Sequence, residues 1–314
     1  MRILITDGMD QGAIEQLKIN GFEVVEKYYE VEELKEKIKE FDAVVVRSAT
    51  KIRKPIIDAA LETKKLKLIV RGGVGLDNID VEYARENNIN VMNTPMASSA
   101  SVAELVIAHM FAIARHIHIA NVTMRDDQWN KKQYKGIELY GKTLGVIGFG
   151  RIGIETAKRA KALGMNVIYT DLLGKKEGFD EYEYMTFDEI LKNADFITLH
   201  VPFDKNIGAI IKEEAFEKMK DGVFLINAAR GGVVCEEALL HSLDTGKVAA
   251  AGIDVFEKEP TINQSLYKHP KVSVTPHIGA STKEAQKRIG EEVVEKITGF
   301  FHIGGKNNDI GKAV

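Results

Sequence analysis

The sequence predicts an α/β protein with two domains, each a doubly wound parallel sheet covered by helices on both faces. The chain has 314 residues, whereas a single hydrophobic core usually stops growing at about 250–300 residues. Short runs rich in Val and Ile alternate with helical patterns, first before residue 95 and again after residue 142. Such alternation is typical of parallel strands joined by crossover helices, and 45% hydrophobic residues suffice for two packed cores.

The first alternating series occupies the N-terminal third of the chain. Its predicted strands are Arg2–Thr6, Glu23–Val25, Ala43–Arg47, Leu66–Val70 and Asn90–Met92. Its predicted helices are Gln11–Ile19, Val31–Glu40, Lys54–Leu61 and Val81–Asn87. Because each helix lies between two strands, we expect consecutive strands to run parallel.

A long apolar-rich segment, Ser98–Ile119, separates the two series, and we predict that it forms one helix connecting the domains. The following stretch, Asn121–Tyr140, lacks clear periodicity and contains the single tryptophan, Trp129. We interpret this stretch as an arm that faces solvent or a partner. Packing or surface roles are assigned to the histidines of the region, His109, His116 and His118.

The second alternating series fills most of the remaining chain. Its predicted strands are Thr143–Ile147, Asn166–Tyr169, Phe196–His200, Val223–Asn227, Ala249–Asp254 and Val272–Thr275. Its predicted helices are Gly153–Leu163, Phe187–Asn193, Glu213–Lys218 and Glu236–Thr245, and a last helix runs from about residue 282 to residue 300. The predicted domains are 1–95 together with 284–314, and 96–283.

Composition excludes several classes of function. The net charge of −3 gives no bulk field that would attract nucleic acid or an anionic membrane. The single cysteine, Cys235, allows no internal disulfide, which fits a reducing compartment. Asp7 interrupts the position where a signal peptide would be apolar, and no stretch approaches the roughly 18 apolar residues of a membrane span. We expect a cytoplasmic enzyme that uses no metal.

A glycine-rich loop predicts dinucleotide binding. The segment Gly148–Gly153 reads G-x-G-x-x-G, follows a predicted strand and opens a predicted helix, which is the context this motif requires. The first glycine permits a tight turn, Gly150 lets the backbone approach a pyrophosphate, and the third permits close packing of helix and strand. The free N–H groups at the helix N-terminus then favour phosphate.

An acid follows the next strand at the distance expected for ribose binding. Asp171 lies 18 residues beyond Gly153, and a carboxylate there would repel a 2′-phosphate, so NAD is predicted in preference to NADP. His200 ends a later strand just before Pro202, and we expect it to line the edge of the cofactor. The remaining possibility is that the glycines serve only a turn and that Asp171 caps a helix.

Three strand ends carry side chains suited to oxidising a hydroxy acid. Such a reaction needs a base for the hydroxyl proton and a cation for the neighbouring carboxylate. His277 follows one predicted strand and Arg230 another, while Glu257 and Glu259 both follow a third. Open α/β sheets place ligands at the carboxyl ends of their strands, so these groups are expected to share one site. Spacing alone does not choose between the two glutamates.

The chain resembles the D-isomer-specific 2-hydroxyacid dehydrogenases over essentially its whole length, through Gly148–Gly153, Asn227–Gly232, Asp254–Pro260 and Thr275–Ala280. The resemblance implies a Rossmann NAD domain and a flavodoxin-like, split substrate domain. It implies that Arg230 grips the substrate carboxylate and carbonyl, that His277 is the general acid/base, and that Glu259 is its partner. It further implies that Asp254 helps to hold the nicotinamide carboxamide. The other residues for which it implies cofactor contacts are Arg151, Ile152, His200, Pro202, Ala228 and Gly279.

Within this family the chain is most similar to the subgroup that oxidises D-3-phosphoglycerate to 3-phosphohydroxypyruvate in serine biosynthesis. The similarity lies in Val46–Lys51, Arg71–Asn78, Met92–Pro95 and Gly279–Gln286. A substrate with both carboxylate and phosphate needs several cations, and Arg47, Arg71 and Lys51 are expected to supply them. The turn whose first three residues are Gly72, Gly73 and Val74 is expected to present N–H groups to a carboxylate. Surface ion pairs are the alternative for Arg47 and Lys51.

The subgroup also implies a homodimer. Its members often supply an Arg from the neighbouring subunit just after the single Trp, and Lys131 stands at that place here. Lys can meet a phosphate as a point charge, so Lys131 is expected to act across the subunit boundary. Many relatives carry a C-terminal regulatory domain that binds serine, and we expect a short form without it.

Two other functions stay open at this stage. One is a glyoxylate/hydroxypyruvate or D-lactate dehydrogenase of the same family. The other is an NAD-sensing binding protein related to transcriptional corepressors, against which the complete set of Arg230, Glu259 and His277 argues.

Overall fold

The computed structural model describes residues 1–303. The chain divides into two compact units, one formed by Met1–Ser98 with the C-terminal segment from Ala280 and the other by Ser99–Gly279. Residues 304–314, which the sequence assigns to the first domain, lie outside the described residues.

The first unit is built on a five-stranded parallel sheet with the order β2-β1-β3-β4-β5. Its strands are β1 (Arg2–Ile5), β2 (Glu23–Glu26), β3 (Ala43–Val46), β4 (Leu68–Arg71) and β5 (Asn90–Asn93). Its first four helices are α1 (Gln11–Ile19), α2 (Val31–Lys37), α3 (Lys54–Leu61) and α4 (Val81–Glu86). This strand order is the flavodoxin-like one, which places the switch point of the sheet between β1 and β3.

The second unit contains a seven-stranded parallel sheet with the order β12-β11-β10-β9-β6-β7-β8. Its strands are β6 (Thr143–Ile147), β7 (Asn166–Thr170), β8 (Glu183–Tyr184), β9 (Phe196–Leu199), β10 (Val223–Asn227), β11 (Val248–Ile253) and β12 (Val272–Val274). Its helices are α5 (Ser99–Ala114), α6 (Ile117–Arg125), α7 (Arg151–Ala162), α8 (Phe187–Asn193), α9 (Glu213–Lys218), α10 (Glu236–Thr245) and α11 (Gln264–Tyr267). The order is that of a Rossmann sheet with its switch point between β6 and β9.

A last helix, α12 (Lys283–Ile303), returns to the first unit and completes its core. Successive residues of β1 point to opposite faces of the sheet, so Leu4 packs with α2 and α3 while Ile3 and Ile5 face the other side. On that other side, Ile289 and Val293 of α12 are buried in the same cluster. The predicted fold class of two doubly wound α/β domains is confirmed.

The predicted single helix Ser98–Ile119 is wrong, because the helix breaks after Ala114. His116 adopts a left-handed backbone conformation with φ of +56°, which a regular helix cannot contain. The carbonyl of Ala114 accepts a hydrogen bond of 2.9 Å from the N–H of Ile137, so a later segment occupies the end of the helix. Part of the segment interpreted as an arm therefore forms α6.

The composition of this broken helix also bears on membrane insertion. Among the described residues, no single helix has the length and apolar character needed to cross a membrane, whereas α5 and α6 together, bent by 66°, meet those two criteria.

The short elements β8 and α11 were not predicted, since two and four residues give no measurable periodicity.

Candidate active site

The glycine-rich loop after β6 has the geometry that a bound pyrophosphate needs. Gly148 has φ of +92°, and a Cβ added there would lie 2.5 Å from the carbonyl oxygen of His200. A Cβ on Gly153 would lie 2.2 Å from the carbonyl oxygen of Gly148, so helix and loop touch through bare backbone. At Gly150, by contrast, no heavy atom of the described chain lies within 4 Å of an added Cβ. The open side of the loop is therefore at Gly150.

Helix α7 begins directly beyond this open side. Its first turn has N–H groups without partners inside the helix, and the positive end of the helix dipole lies there. Arg151 is exposed at the first helical position, and Ile152 packs against the core of the second unit. The loop and helix terminus together form a cradle for the phosphates of a dinucleotide.

Asp171 follows β7 and stands beside the same loop. One carboxylate oxygen accepts the N–H of Phe149 at 2.7 Å, and the other accepts the N–H of Leu173 at 3.0 Å. The nearby lysines are engaged elsewhere: Lys175 pairs with Asp180 at 2.7 Å, and Lys176 donates to the carbonyl of Phe149 at 3.3 Å. A fixed carboxylate with no lysine bonded to it disfavours the 2′-phosphate of NADP.

His200 presents an unused nitrogen at the end of β9, just before Pro202. Its Nε2 lies 3.1 Å from the hydroxyl of Thr198, while its Nδ1 is buried and has no hydrogen-bond partner among the described residues. Burial lowers the pKa of His200 to about 3, so the ring is neutral at pH 7. A buried nitrogen without a partner is costly, and a hydrogen bond to a bound cofactor would satisfy it.

The loop after β10 holds Arg230 through its own backbone. The Asn227 side chain accepts the N–H of Ala229 at 3.1 Å and donates to the carbonyl of Arg230 at 3.0 Å. One guanidinium nitrogen of Arg230 donates to the carbonyl of Ala229 at 2.7 Å. A Cβ on Gly231 would lie only 1.7 Å from the carbonyl oxygen of Phe256, so this loop packs directly against the loop after β11.

The loop after β11 supplies the partner of His277. Nδ1 of His277 lies 2.7 Å from Oε2 of Glu259, and the two side chains are 37% and 38% exposed. Burial opposes ionisation of Glu259, but the hydrogen bond and charge of His277, together with the N–H of Phe256 and the charge of Arg230, hold the pKa of Glu259 below its ordinary value. The pair is both hydrogen-bonded and open to a ligand.

The structure also decides between the two glutamates. Glu257 accepts the N–H of Glu236 at 3.1 Å, and its own N–H donates to the Glu236 carboxylate at 2.9 Å. These bonds hold Glu257 at the start of α10, whereas Glu259 alone reaches His277. Strand position alone cannot make this distinction, because both residues follow the same strand; the geometry agrees with Glu259, the residue that the family resemblance implied.

Asp254, at the end of β11, shapes the turn that carries His277. This residue is 1% exposed. One carboxylate oxygen accepts the Thr275 hydroxyl at 2.6 Å and the Ile278 N–H at 2.8 Å, and the other accepts the Gly279 N–H at 3.0 Å. Burial raises the pKa of Asp254, although these three donors oppose the shift.

In the first unit, Arg47 is held at the end of β3 by a small polar network. The carboxylate of Asp7 accepts the N–H of Arg47 at 2.7 Å and the N–H of Thr50 at 3.0 Å. The side-chain amide of Asn78 donates to the carbonyls of the same two residues, both at 2.7 Å. Burial lowers the pKa of the half-buried Arg47, and the charge of Asp7 opposes that shift.

Arg47 lines a cavity of about 630 Å³ at the start of α12. Its lining residues are Asp10, Arg47, Ser281, Thr282, Lys283, Gln286 and Lys287. The lining therefore contains three cations and one acid. Lys283 and Lys287 were not predicted as site residues, although their spacing of four on one helix places them on the same face.

The other predicted substrate residues lie outside this cavity. Lys51 and Lys131 are exposed, the latter in a short 3-10 helix, Lys131–Gln133. The guanidinium of Arg71 covers Gly73, where an added Cβ would lie 1.6 Å from one of its nitrogens. The N–H groups of Gly72 and Gly73 donate to the carbonyls of Val46 and Arg71, so this turn can offer N–H groups only from Val74 onward.

Known proteins resemble this chain closely. Residues 107–279 match the sequence profile of the D-isomer specific 2-hydroxyacid dehydrogenase NAD binding domain, which confirms NAD as the cofactor. The chain is 50% identical over 308 residues to a hydroxypyruvate reductase of Thermotoga maritima, covering 96% of this chain and 98% of that protein. A D-3-phosphoglycerate dehydrogenase of Methanocaldococcus jannaschii is 48% identical over 300 residues, which cover 95% of this chain but 57% of the relative.

A solved structure agrees in fold over the full chain. The crystal structure of a D-lactate dehydrogenase from Aquifex aeolicus, complexed with NAD and lactic acid, superposes with a TM-score of 0.85 at 30% identity. The superposition covers 99% of this chain and 100% of that one. The chain thus has the length of some relatives and spans little more than half of others.

The loop geometry makes opposite predictions for two glycines. We expect Gly150→Val to keep the stability of the protein, because Gly150 has φ of −77° and open space beside it. The added side chain would fill the space for pyrophosphate and weaken NADH binding at least about tenfold, or about 1.4 kcal/mol. Isothermal titration with NADH and thermal unfolding measure the two effects.

Gly153→Ala is the matched comparison. Its methyl group would meet the carbonyl of Gly148, so we expect a loss of stability of about 1–3 kcal/mol, seen as a lower Tm. Unchanged NADH affinity in Gly150→Val would contradict the placement of the cofactor over this loop.

Proposed function

Because the chain belongs to the D-isomer specific 2-hydroxyacid dehydrogenases, we propose that it oxidises D-3-phosphoglycerate to 3-phosphohydroxypyruvate with NAD, the first step of serine biosynthesis in the cytoplasm. The observation that carries the choice of substrate is the cavity of the first unit, whose lining includes Arg47, Lys283 and Lys287 but one acid, Asp10. Lys287 also lies 4.0 Å from Glu291, which does not line the cavity. Lactate and glyoxylate have one negative group, whereas phosphoglycerate adds a phosphate that needs further cations.

In the proposed reaction, His277 is the base. Its Nδ1 is bonded to Glu259 at 2.7 Å, which leaves Nε2 as the nitrogen available to a substrate. Nε2 takes the C2 hydroxyl proton while the C2 hydrogen leaves as hydride, and the C2–O bond becomes a carbonyl. NAD, when bound at the dinucleotide loop, would supply the acceptor for that hydride. The carboxylate of Glu259 stabilises the imidazolium that forms.

We assign the cofactor and the acid–base pair to residues of the second unit, and further substrate contacts to residues of the first. We assign the substrate carboxylate and carbonyl to Arg230, whose planar guanidinium can bind two oxygens at once. Arg47 is assigned to the phosphate together with Lys283 and Lys287. The remaining assignments to substrate are Lys51, Arg71 and Val74, whereas the N–H groups of Gly72 and Gly73 are already bonded within the turn. Cofactor contacts are assigned to Gly148, Gly150, Arg151, Ile152, Gly153, Asp171, His200, Pro202, Ala228, Asp254 and Gly279.

A second candidate is reduction of hydroxypyruvate. The observation that favours it is the Thermotoga maritima relative, which is named hydroxypyruvate reductase and matches over 98% of its own length. The catalytic residues would be the same for both substrates. The candidates differ only in whether the cations of the first unit meet a phosphate.

Replacing the base tests the chemistry. We expect His277→Ala to lower kcat about 10²–10⁴-fold, which is the usual contribution of a general acid/base. Glu259→Gln keeps a polar side chain but removes the charge beside His277, and we expect a smaller loss. Both are measured as NADH oxidation with saturating 3-phosphohydroxypyruvate. Near-normal turnover of His277→Ala would remove His277 from the mechanism.

Substrate preference tests the phosphate assignment. We expect wild-type protein to have a higher kcat/KM for 3-phosphohydroxypyruvate than for hydroxypyruvate, glyoxylate or pyruvate. Arg47→Ala and Lys283→Ala should each raise KM for the phosphorylated acid about tenfold, because each removes a charge-assisted contact to phosphate.

The controls separate the two candidates. The same variants should leave KM for hydroxypyruvate nearly unchanged, and Lys18→Ala, which removes an exposed lysine of α1, should change neither value. A preference for hydroxypyruvate in the wild type would favour the second candidate. No turnover of any of these acids would favour an NAD-sensing protein.

The functional unit is proposed to be a homodimer formed through α6 and the segment after it. None of the residues of α6 is buried, although the helix has an apolar side. Ile117 and Val122 are each 53% exposed, and Trp129 is 77% exposed. Apolar side chains concentrated in one segment are typical of a protein interface, and a second copy would bring Lys131 near a partner.

A charge placed on this surface tests the dimer. We expect Val122→Glu to give a monomer in sedimentation velocity, because the charge would be buried in an apolar interface. Asn121→Glu, a neighbouring exposed position of α6, is the matched control and should stay dimeric. Lys131→Ala should raise KM for the phosphorylated acid in the dimer but not in the monomer. A monomeric wild-type protein would contradict the proposal.

A further inference from the structure

A histidine outside the catalytic pair is buried in the core of the second unit. His109, on α5, is 3% exposed. A Cβ on Gly252 of β11 would lie 2.7 Å from the Cβ of His109, so the strand admits this side chain only because glycine stands there. The imidazole is thereby fixed against β11, next to the strand that leads to the catalytic turn.

Both ring nitrogens of His109 have hydroxyl partners. Nδ1 lies 3.1 Å from the Oγ of Ser273, and Nε2 lies 3.0 Å from the Oγ1 of Thr275. Thr275 has a single hydroxyl proton, which it donates to the carboxylate of Asp254 at 2.6 Å. Its oxygen must then accept a hydrogen bond from His109, which requires the proton on Nε2. Nδ1 consequently accepts from Ser273.

Burial agrees with a neutral ring. Desolvation, with a smaller contribution from the charge of His118, lowers the pKa of His109 to about 4. At pH 7 the ring therefore carries one proton, and the two hydroxyls select the nitrogen that holds it.

The chain of hydrogen bonds ends at the catalytic turn. Asp254 accepts the N–H groups of Ile278 and Gly279 through its carboxylate, and its backbone carbonyl accepts the N–H of His277 at 2.8 Å. His277 itself has φ of +54°, a conformation that a non-glycine residue keeps only when its surroundings fix it. Asp254 therefore holds the backbone of the turn from which the His277 side chain projects.

We propose that His109 is a positioning residue for the reaction, which orients His277 through Thr275 and Asp254 as a neutral imidazole protonated on Nε2. This inference rests on the proposed function, because His277 is taken as the base. His109 is 3% exposed, and we assign it no contact with substrate or cofactor. Its role is to direct the Thr275 hydroxyl proton toward Asp254, so that the carboxylate is held while it binds the turn.

The first test observes the tautomer without any turnover. In protein labelled with ¹⁵N-histidine, multiple-bond correlation spectra distinguish a protonated Nε2 from a protonated Nδ1, and the spectrum of His109→Leu identifies the signal. We expect the Nε2–H form for His109 near pH 7. An Nδ1–H form or a charged ring would overturn the proposal.

The second test removes the bridging hydroxyl. Thr275→Val keeps the shape of the side chain but cannot link His109 to Asp254. We expect kcat to fall about tenfold with little change in KM, because a misplaced base affects the transition state more than binding. Thr275→Ser restores a hydroxyl and should restore kcat. His109→Leu should lower kcat to a similar extent, and the double variant should fall no further than either single variant.

The control is another buried polar side chain of the same unit. Ser242 of α10 is 5% exposed and has no bond to this chain of residues, so Ser242→Ala should keep kcat. If Thr275→Val lowered Tm while keeping kcat, or if Thr275→Ser failed to rescue kcat, His109 would serve packing alone and the proposal would be wrong.

A third readout separates this inference from the proposed function. In ¹H–¹⁵N spectra, Thr275→Val should shift the amide signals of Ile278 and Gly279, whereas Ser242→Ala should leave them in place. If the wild type were inactive toward every acid tested, the proposed function would fail, but the tautomer and these amide shifts would still decide whether His109 controls the turn. Unshifted amides in Thr275→Val would overturn the proposal.

Discussion

The hydrogen bonds to the buried carboxylate of Asp254 are the interactions on which the turn that carries His277 depends. A carboxylate that is 1% exposed is tolerable only because three donors surround it. Two of those donors are backbone N–H groups of the turn that carries His277. The hydrogen bonds that compensate the burial of Asp254 therefore also fix this turn. From this turn, the side chain of His277 forms its hydrogen bond with Glu259, which lies in the loop after β11.

Bare backbone produces the other close approaches. Gly231 lies against the carbonyl of Phe256, which brings the Arg230 loop into contact with the loop that carries Glu259. Gly153 lies against Gly148 in the same way, which leaves Gly150 as the open side of the dinucleotide loop. In each case a Cβ at the glycine would push two functional segments apart. The positions of the functional side chains therefore depend on a nearby residue that has no side chain.

In the first unit, positively charged side chains are collected at one cavity. With a net charge of −3, the chain offers an anion no general attraction. The Asp7 carboxylate and the Asn78 amide fix the backbone around Arg47, and α12 adds Lys283 and Lys287 at the same cavity. Residues nearly 240 positions apart in the chain thus form one local basic surface.

The sequence by itself determined the two doubly wound domains, the dinucleotide loop and the strand ends that carry Arg230 and His277, because periodicity and glycine spacing are local properties. Strand position left Glu257 and Glu259 equivalent, and the family resemblance implied Glu259; the tertiary structure supplies the physical reason, because Glu257 is already bonded at the start of α10. It also broke the long helix at His116, where a distant N–H occupies the carbonyl of Ala114. His109 reads in the sequence as a packing residue; its partners, Ser273 and Thr275, lie more than 160 positions away, and only the fold brings them together.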